Sequence, residues 1–194
     1  MTCIFKESFE CRCGDLPANW VVEDNTGILA DAIRCGENGI ELLSAGNKFL
    51  PIMPDLADFE LTMRAKINFE MSGKFGIMLS FRYDARLRKG SAFRISATRQ
   101  SGLVKFEYGH IRLNAFSTEK SETMPLDDFD FDMPFELKAC VKGGKAAVTL
   151  AERTVNFEIP GDDKGKIALS RKYFYDVLNI MDFEVRSDEN ISCG

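Results

Sequence analysis

Phe59-Glu60-Leu61-Thr62-Met63-Arg64-Ala65-Lys66-Ile67-Asn68-Phe69 alternates apolar and polar side chains without a break. A period of two sends successive side chains to opposite sides of an extended chain, so this stretch predicts a long β-strand with one buried and one wet face. The run from Lys74 to Tyr83 repeats the pattern, with Phe75, Ile77, Leu79 and Phe81 on one side and Gly76, Met78, Ser80 and Arg82 on the other. Met71-Ser72-Gly73 between the two runs predicts a hairpin turn.

Working outward, the same period recurs at Ala92 to Thr98, Leu103 to Tyr108, Phe135 to Val141, Ala146 to Leu150, Lys166 to Leu169 and Val177 to Val185. Shorter runs lie at Cys3 to Phe9, Ile28 to Arg34, Ile40 to Leu43 and Lys48 to Ile52. Gln100-Ser101-Gly102 and Lys142-Gly143-Gly144-Lys145 are turn sequences, the second a strong hairpin signal because glycine accepts positive φ. No stretch carries a helical stripe. About a dozen strands at short, regular spacing predict an all-β fold, an antiparallel sandwich in one domain. Residues 1–187 form that domain, and 188–194 read as a polar tail or linker stub.

The order of features resembles the concanavalin A-like lectin/glucanase superfamily, a two-sheet jelly roll. The opening Ile4-Phe5-Lys6-Glu7-Ser8-Phe9 and Leu16-Pro17-Ala18-Asn19-Trp20 look like the start of such modules. Asp58-Phe59-Glu60-Leu61-Thr62-Met63-Arg64-Ala65, followed by Gly73-Lys74-Phe75-Gly76-Ile77-Met78-Leu79-Ser80-Phe81-Arg82, is similar to the core of laminin G-like sugar-binding modules. The hairpin from Phe135 to Gly144 and the closing Gly165-Lys166-Ile167-Ala168-Leu169 complete the likeness. The matching motifs specify strands and turns and carry no catalytic signature. The resemblance implies a carbohydrate-binding, lectin-like module without catalytic activity, an accessory to a glycoside-active enzyme or a small stand-alone protein.

Composition excludes several other classes. A net charge of −5 offers no basic field to nucleic acid or to an anionic membrane. Charges interrupt every apolar run well short of the ~18 residues a membrane-spanning helix needs. The N-terminus lacks the basic and apolar regions of a secretory signal, so the sequence alone predicts a cytoplasmic protein with reduced thiols, or a secreted one if a leader has been removed. Of six cysteines, Cys35 and Cys140 fall in strand-like runs where a free thiol acts as a small apolar side chain, and Cys11-Arg12-Cys13 lacks the partners of a zinc site.

Retaining glycoside hydrolysis needs two carboxyl groups ~5–5.5 Å apart. No string of closely spaced carboxylates on one strand supplies them; Asp58-Phe59-Glu60 and Asp182-Phe183-Glu184 read as wet faces beside core aromatics. A hydrolase drawing carboxylates from separate strands, such as Glu60, Asp84, Glu107 or Asp182, is one alternative, similar in fold to the keto-disaccharide hydrolase-like group. A protein–protein assembly module is the other. His110 is the sole histidine, and no nucleophile elbow accompanies it. Asp127 to Asp132 is the densest acidic stretch; its alternating Asp and Phe fit an edge strand, and Asp128, Asp130 and Asp132 are the candidate calcium ligands. Arg82, Tyr83, Arg94 and Tyr108 read as lying on or just after the polar faces of successive strands. Since glycans rest on one sheet or its rim in the sugar-binding relatives, these residues, with His110 at the rim, are the expected ligand contacts. The basic loop Arg86-Leu87-Arg88-Lys89 is placed to attract a carboxylate or sulfate.

Overall fold

The computed structural model describes residues 2–9, 17–23, 33–36, 39–43, 47–68, 73–127, 129–161, 163–172, 177–187 and 193. Fifteen strands and no helix occur among them: β1 (Thr2–Glu7), β2 (Trp20–Glu23), β3 (Ile33–Gly36), β4 (Gly39–Leu42), β5 (Lys48–Pro51), β6 (Phe59–Asn68), β7 (Lys74–Asp84), β8 (Lys89–Thr98), β9 (Leu103–Arg112), β10 (Ala115–Pro125), β11 (Phe135–Lys142), β12 (Lys145–Leu150), β13 (Arg153–Glu158), β14 (Lys166–Arg171) and β15 (Val177–Ser187). They form two antiparallel sheets. One runs β13-β12-β11-β6-β15-β4-β3, with β1 also paired to β15; the other runs β10-β9-β8-β7-β14-β5-β2.

The alternation of the deciding stretch is observed. Phe59, Leu61, Met63, Ala65 and Ile67 are buried, and Phe75, Ile77, Leu79 and Phe81 meet them from the other sheet. The hairpin expected between these two strands is corrected: β6 and β7 belong to different sheets, so they pack face to face rather than side by side. Phe59 and Phe81 contact across the interface with ring centroids 6.1 Å apart, and Phe81, Phe93 and Phe157 continue the stack. Phenylalanine has no polar group to satisfy and fills the space between two twisted sheets. Trp20 joins this core, stacked on Phe49 with centroids 4.1 Å apart.

Two strands escaped the sequence pattern. β10 is exposed along almost its whole length, so as an edge strand it has no buried face to impose alternation. β13 does alternate, with Val155 and Phe157 buried. Both strands are entered through turns whose two central residues have positive φ without glycine, Leu113-Asn114 and Ala151-Glu152. The turn signal that marks β11–β12, where Gly143 takes φ +54°, was therefore missing.

Asp127 to Asp132 is not the edge strand its alternation suggested. Its described residues form a turn that folds Phe129 and Phe131 onto Phe75 and Phe135. The cysteines are also corrected. Cys140 is bonded to Cys193, and Cys35 is disulfide-bonded too, so neither is a free thiol; Cys3 is free and exposed. Cys11 and Cys13 lie outside the described residues.

Candidate functional site

A bulge in β7 decides where the expected ligand residues go. The pairing of β7 with β8 slips between Phe81 and Asp84, and Arg82 takes φ +50°. One extra residue reverses the alternation. Tyr83, in phase with the core phenylalanines, swings to the outer face of the seven-stranded sheet, where it packs with Leu50, Ala92, Ile111 and Ala168. Arg82 turns inward instead. Gly165 lies so close against the Arg82–Tyr83 backbone that a Cβ there would collide with it.

Arg82 is a clamp between loops. Nη1 donates to the carbonyls of Pro160, at 2.8 Å, and Gly161; Nη2 donates to Gly143 O at 2.9 Å; Nε reaches Ala57 O at 3.4 Å. Only 5% of the side chain is exposed. Tyr108 is also buried, in phase with Val104 and Phe106, and its ring packs near Phe93 and Phe157. Burial pushes its phenol above the ordinary value. The four residues therefore do not share one wet face. Arg82 and His110 instead line a cavity at the end of the sandwich, with Tyr108 beside His110, ring centroids 5.6 Å apart. His110 Nε2 lies 3.0 Å from Glu119 Oε2.

Tyr83 and Arg94 occupy the outer face of the seven-stranded sheet. Arg94 pairs with Glu107 through two bonds of 2.7 Å, and Lys105 and Thr118 donate to the same carboxylate at 2.9 and 3.2 Å. The guanidinium lies over the Phe116 ring, 4.5 Å from its centroid. Burial pushes the Glu107 carboxyl upward, but the bonds and charges of Arg94 and Lys105 outweigh it and bring the pKa down to about 2. Farther along this face, the Tyr83 hydroxyl donates to Glu23 at 3.0 Å, and Lys48 Nζ sits 4.8 Å from the Tyr83 ring centroid and donates to Asn114 Oδ1 at 2.6 Å. Burial lowers the Lys48 pKa against the pull of Glu23, and burial together with Glu23 raises that of Tyr83. Lys48, Glu23 and Asn114 gave no signal in the sequence, because the face that collects them joins β2, β5 and the β9–β10 turn. Lys105 and Glu107 were legible as the wet phase of β9, which also puts Tyr108 in the buried phase.

The carboxylates considered for hydrolysis do not converge. Asp84 accepts from the backbone N–H groups of Arg86 and Leu87, and Glu107 is locked in its ion pair. Glu60 and Asp182 belong to the other sheet, where Asp182 is paired with Arg64 and Glu60 with Arg186, four residues apart along the register. Of the acidic loop, Asp128 lies outside the described residues. Asp132 pairs with Arg99, Asp127 with Arg153, and Asp130 accepts from the Asp132 N–H at 2.9 Å. With these carboxylates engaged, no group of three or more His, Cys, Asp or Glu side chains that could hold a metal ion occurs among the described residues.

Two antiparallel sheets in this arrangement define the fold as the concanavalin A-like jelly roll. No protein-family model and no curated protein matches the sequence. Solved structures share the architecture at low identity. The carbohydrate-binding module CBM66 from Bacillus subtilis is 18% identical, covers 87% of this chain and 96% of its own, and superimposes with a TM-score of 0.65. The exoplasmic/lumenal domain of VIP36, in a form bound to Ca2+ and Man3GlcNAc, is 12% identical over 89% of this chain and 86% of its own, with a TM-score of 0.59. LamA from Z. galactanivorans, in complex with laminaritriose and laminaritetraose, is 10% identical over 96% and 99%, with a TM-score of 0.65.

Proposed function

We propose that this domain binds carbohydrate without hydrolysing it, on the outer face of the seven-stranded sheet. The observation that carries this reading is the cluster Arg94–Glu107–Lys105–Thr118 over Phe116. Its charges are mutually paired and fixed in place, so it offers hydrogen-bonding groups to sugar hydroxyls without first having to be ordered. Arg94 and Lys105 keep a quarter and nearly half of their side chains exposed. Structures of the same fold that carry saccharides or are named for binding them support the class of ligand. The non-catalytic role is supported by the carboxylates' placement: Asp84 and Glu107 are held by other partners, and Glu60 and Asp182 lie in the other sheet, four residues apart along the register. The Cys140–Cys193 disulfide supports an oxidising compartment over the cytoplasm.

The test is a glycan array probed with the purified domain in calcium and in EDTA, followed by titration of the best ligand. Lys105→Ala and Phe116→Ala should each weaken binding about tenfold, a loss of ~1.4 kcal/mol. A silent array, or binding indifferent to both substitutions, overturns the reading.

A further inference from the structure

At the open end of the sandwich, the inner face of the seven-stranded sheet runs out beyond the core. Phe93 pairs with Tyr108 in the last apolar row of β8 and β9; the next row outward is Ser91 with His110, and the last is Lys89 with Arg112. Direct cross-strand partners point to the same face. Apolar packing thus gives way first to a hydroxyl and an imidazole, then to two cations. Ser91, His110, Lys89 and Arg112 line a cavity of about 680 Å³, together with Arg82 and the Pro160-Gly161 loop.

Two features of this mouth are costly for an empty cavity. Lys89 and Arg112 are like charges directly opposite each other, a destabilising arrangement, and neither has an ion-pair or hydrogen-bond partner among the described residues. Asp163 lines the same cavity but forms no ion pair with either. Arg82 spends its donors on loop carbonyls, so it cannot take their place as an anion binder but adds positive potential behind them. The second feature is apolar. Leu87 and Leu113, two of the large hydrophobic residues left exposed, stand on the rim of this cavity.

We propose that the mouth binds an anionic saccharide. Its carboxylate or sulfate lies between Lys89 and Arg112, its hydroxyls meet Ser91 and His110, and its C–H face rests on Leu87 and Leu113. A bare anion would leave most of the cavity unfilled, whereas a sugar ring carrying an acidic group uses the cations and the apolar rim together. This site is separate from the Arg94 face and does not depend on it.

The experiment is an amide-resolved NMR titration of the whole domain with glucuronate, inorganic sulfate and glucose. Glucuronate should shift the amides of Lys89, Ser91, His110 and Arg112 in a saturable way, sulfate should bind the same residues at least tenfold more weakly, and glucose should leave them unmoved. Lys89→Gln and Arg112→Gln should each weaken glucuronate about tenfold, and raising the salt from 50 to 500 mM should weaken it further. Both side chains are exposed, so the variant spectra also report whether the fold is kept. Sulfate binding as tightly as glucuronate would mean a bare-anion site and overturn the saccharide assignment. Rim amides silent to glucuronate would overturn the site. Shifts confined to Arg94, Lys105 and Thr118 would also overturn it while leaving the sheet-face reading standing.

Discussion

On the outer face of β6, β11 and β12, polar side chains lie in register: Thr62, Lys138 and Thr149 in one row, with Glu60 and the Cys140–Cys193 disulfide in the next. On the outer face of β7, β8 and β14, Ser80, Ala92 and Ala168 are fully buried, as hidden as the phenylalanines of the core. The eight-stranded sheet is half wet, as its alternation requires. The seven-stranded sheet carries a second apolar layer, made by Tyr83 with Leu50, Ile111 and the flanking Met78 and Phe116. The bulge at Arg82 supplies the tyrosine, and buried charges become tolerable there because each is paired or hydrogen-bonded. One sheet therefore presents a solvated surface, while the other builds a preorganised polar cluster on an apolar bed.

The sharpest way to break this contrast is a larger polar or charged side chain on each outer face. Ala168→Asp should cost at least ~4 kcal/mol, because the carboxylate would be buried without a partner, whereas Thr62→Gln on the other sheet should stay within ~0.5 kcal/mol. Guanidinium unfolding of both variants measures the difference, and equal effects would remove the second layer.

Next in size is the covalent tie on the wet face. Cys193→Ser opens a loop closed over a sequence separation of 53, for which chain entropy gives a loss of about 4 kcal/mol. Unfolding under non-reducing conditions checks it, and the loss should appear without change in the spectroscopic environment of Trp20, which lies in the core.

Acid titration probes the buried ion pair. Glu107 falls from an ordinary 4.5 to about 2 on folding, so its stabilisation is complete above pH 4.5, declines as the pH drops toward 2 and is gone below it. The amount is about 3 kcal/mol at 1.36 kcal/mol per pKa unit. Glu107→Gln should flatten this part of the stability–pH curve, with only a smaller counterpart on substituting Glu184, a half-buried carboxylate on the other sheet that Arg186 and Lys6 also hold below the ordinary value. The smallest effect is expected from Tyr83→Phe. It removes one hydrogen bond to a carboxylate that keeps some solvent contact, and should cost about 1 kcal/mol in thermal unfolding.

The same contrast explains what was legible. β6 and the strands around it could be read directly, because a sheet buried on one face writes its geometry into a period of two. Both long hairpins with glycine turns were legible for a local reason, the positive φ that glycine accepts. The β10 edge was hidden because it is exposed along almost its whole length, and β13 because non-glycine residues make its turn. The candidate site was half legible. Arg94, Lys105 and Glu107 stand in the wet phase of their strands, but Tyr83 and Arg82 exchange faces at the bulge, and Tyr108 follows Phe106 into the core.

By itself, the sequence determined an all-β sandwich and which faces of its principal strands are apolar, since both follow from alternation and turn chemistry within a few residues. The tertiary structure decided that β6 and β7 lie in opposite sheets, that Cys140 reaches Cys193, and that Lys48, Tyr83 and Glu23 meet across three strands. These depend on contacts between residues far apart in the chain. A local period carries no record of which strand becomes the neighbour, or of a single inserted residue that sends one side chain inward and the next one out.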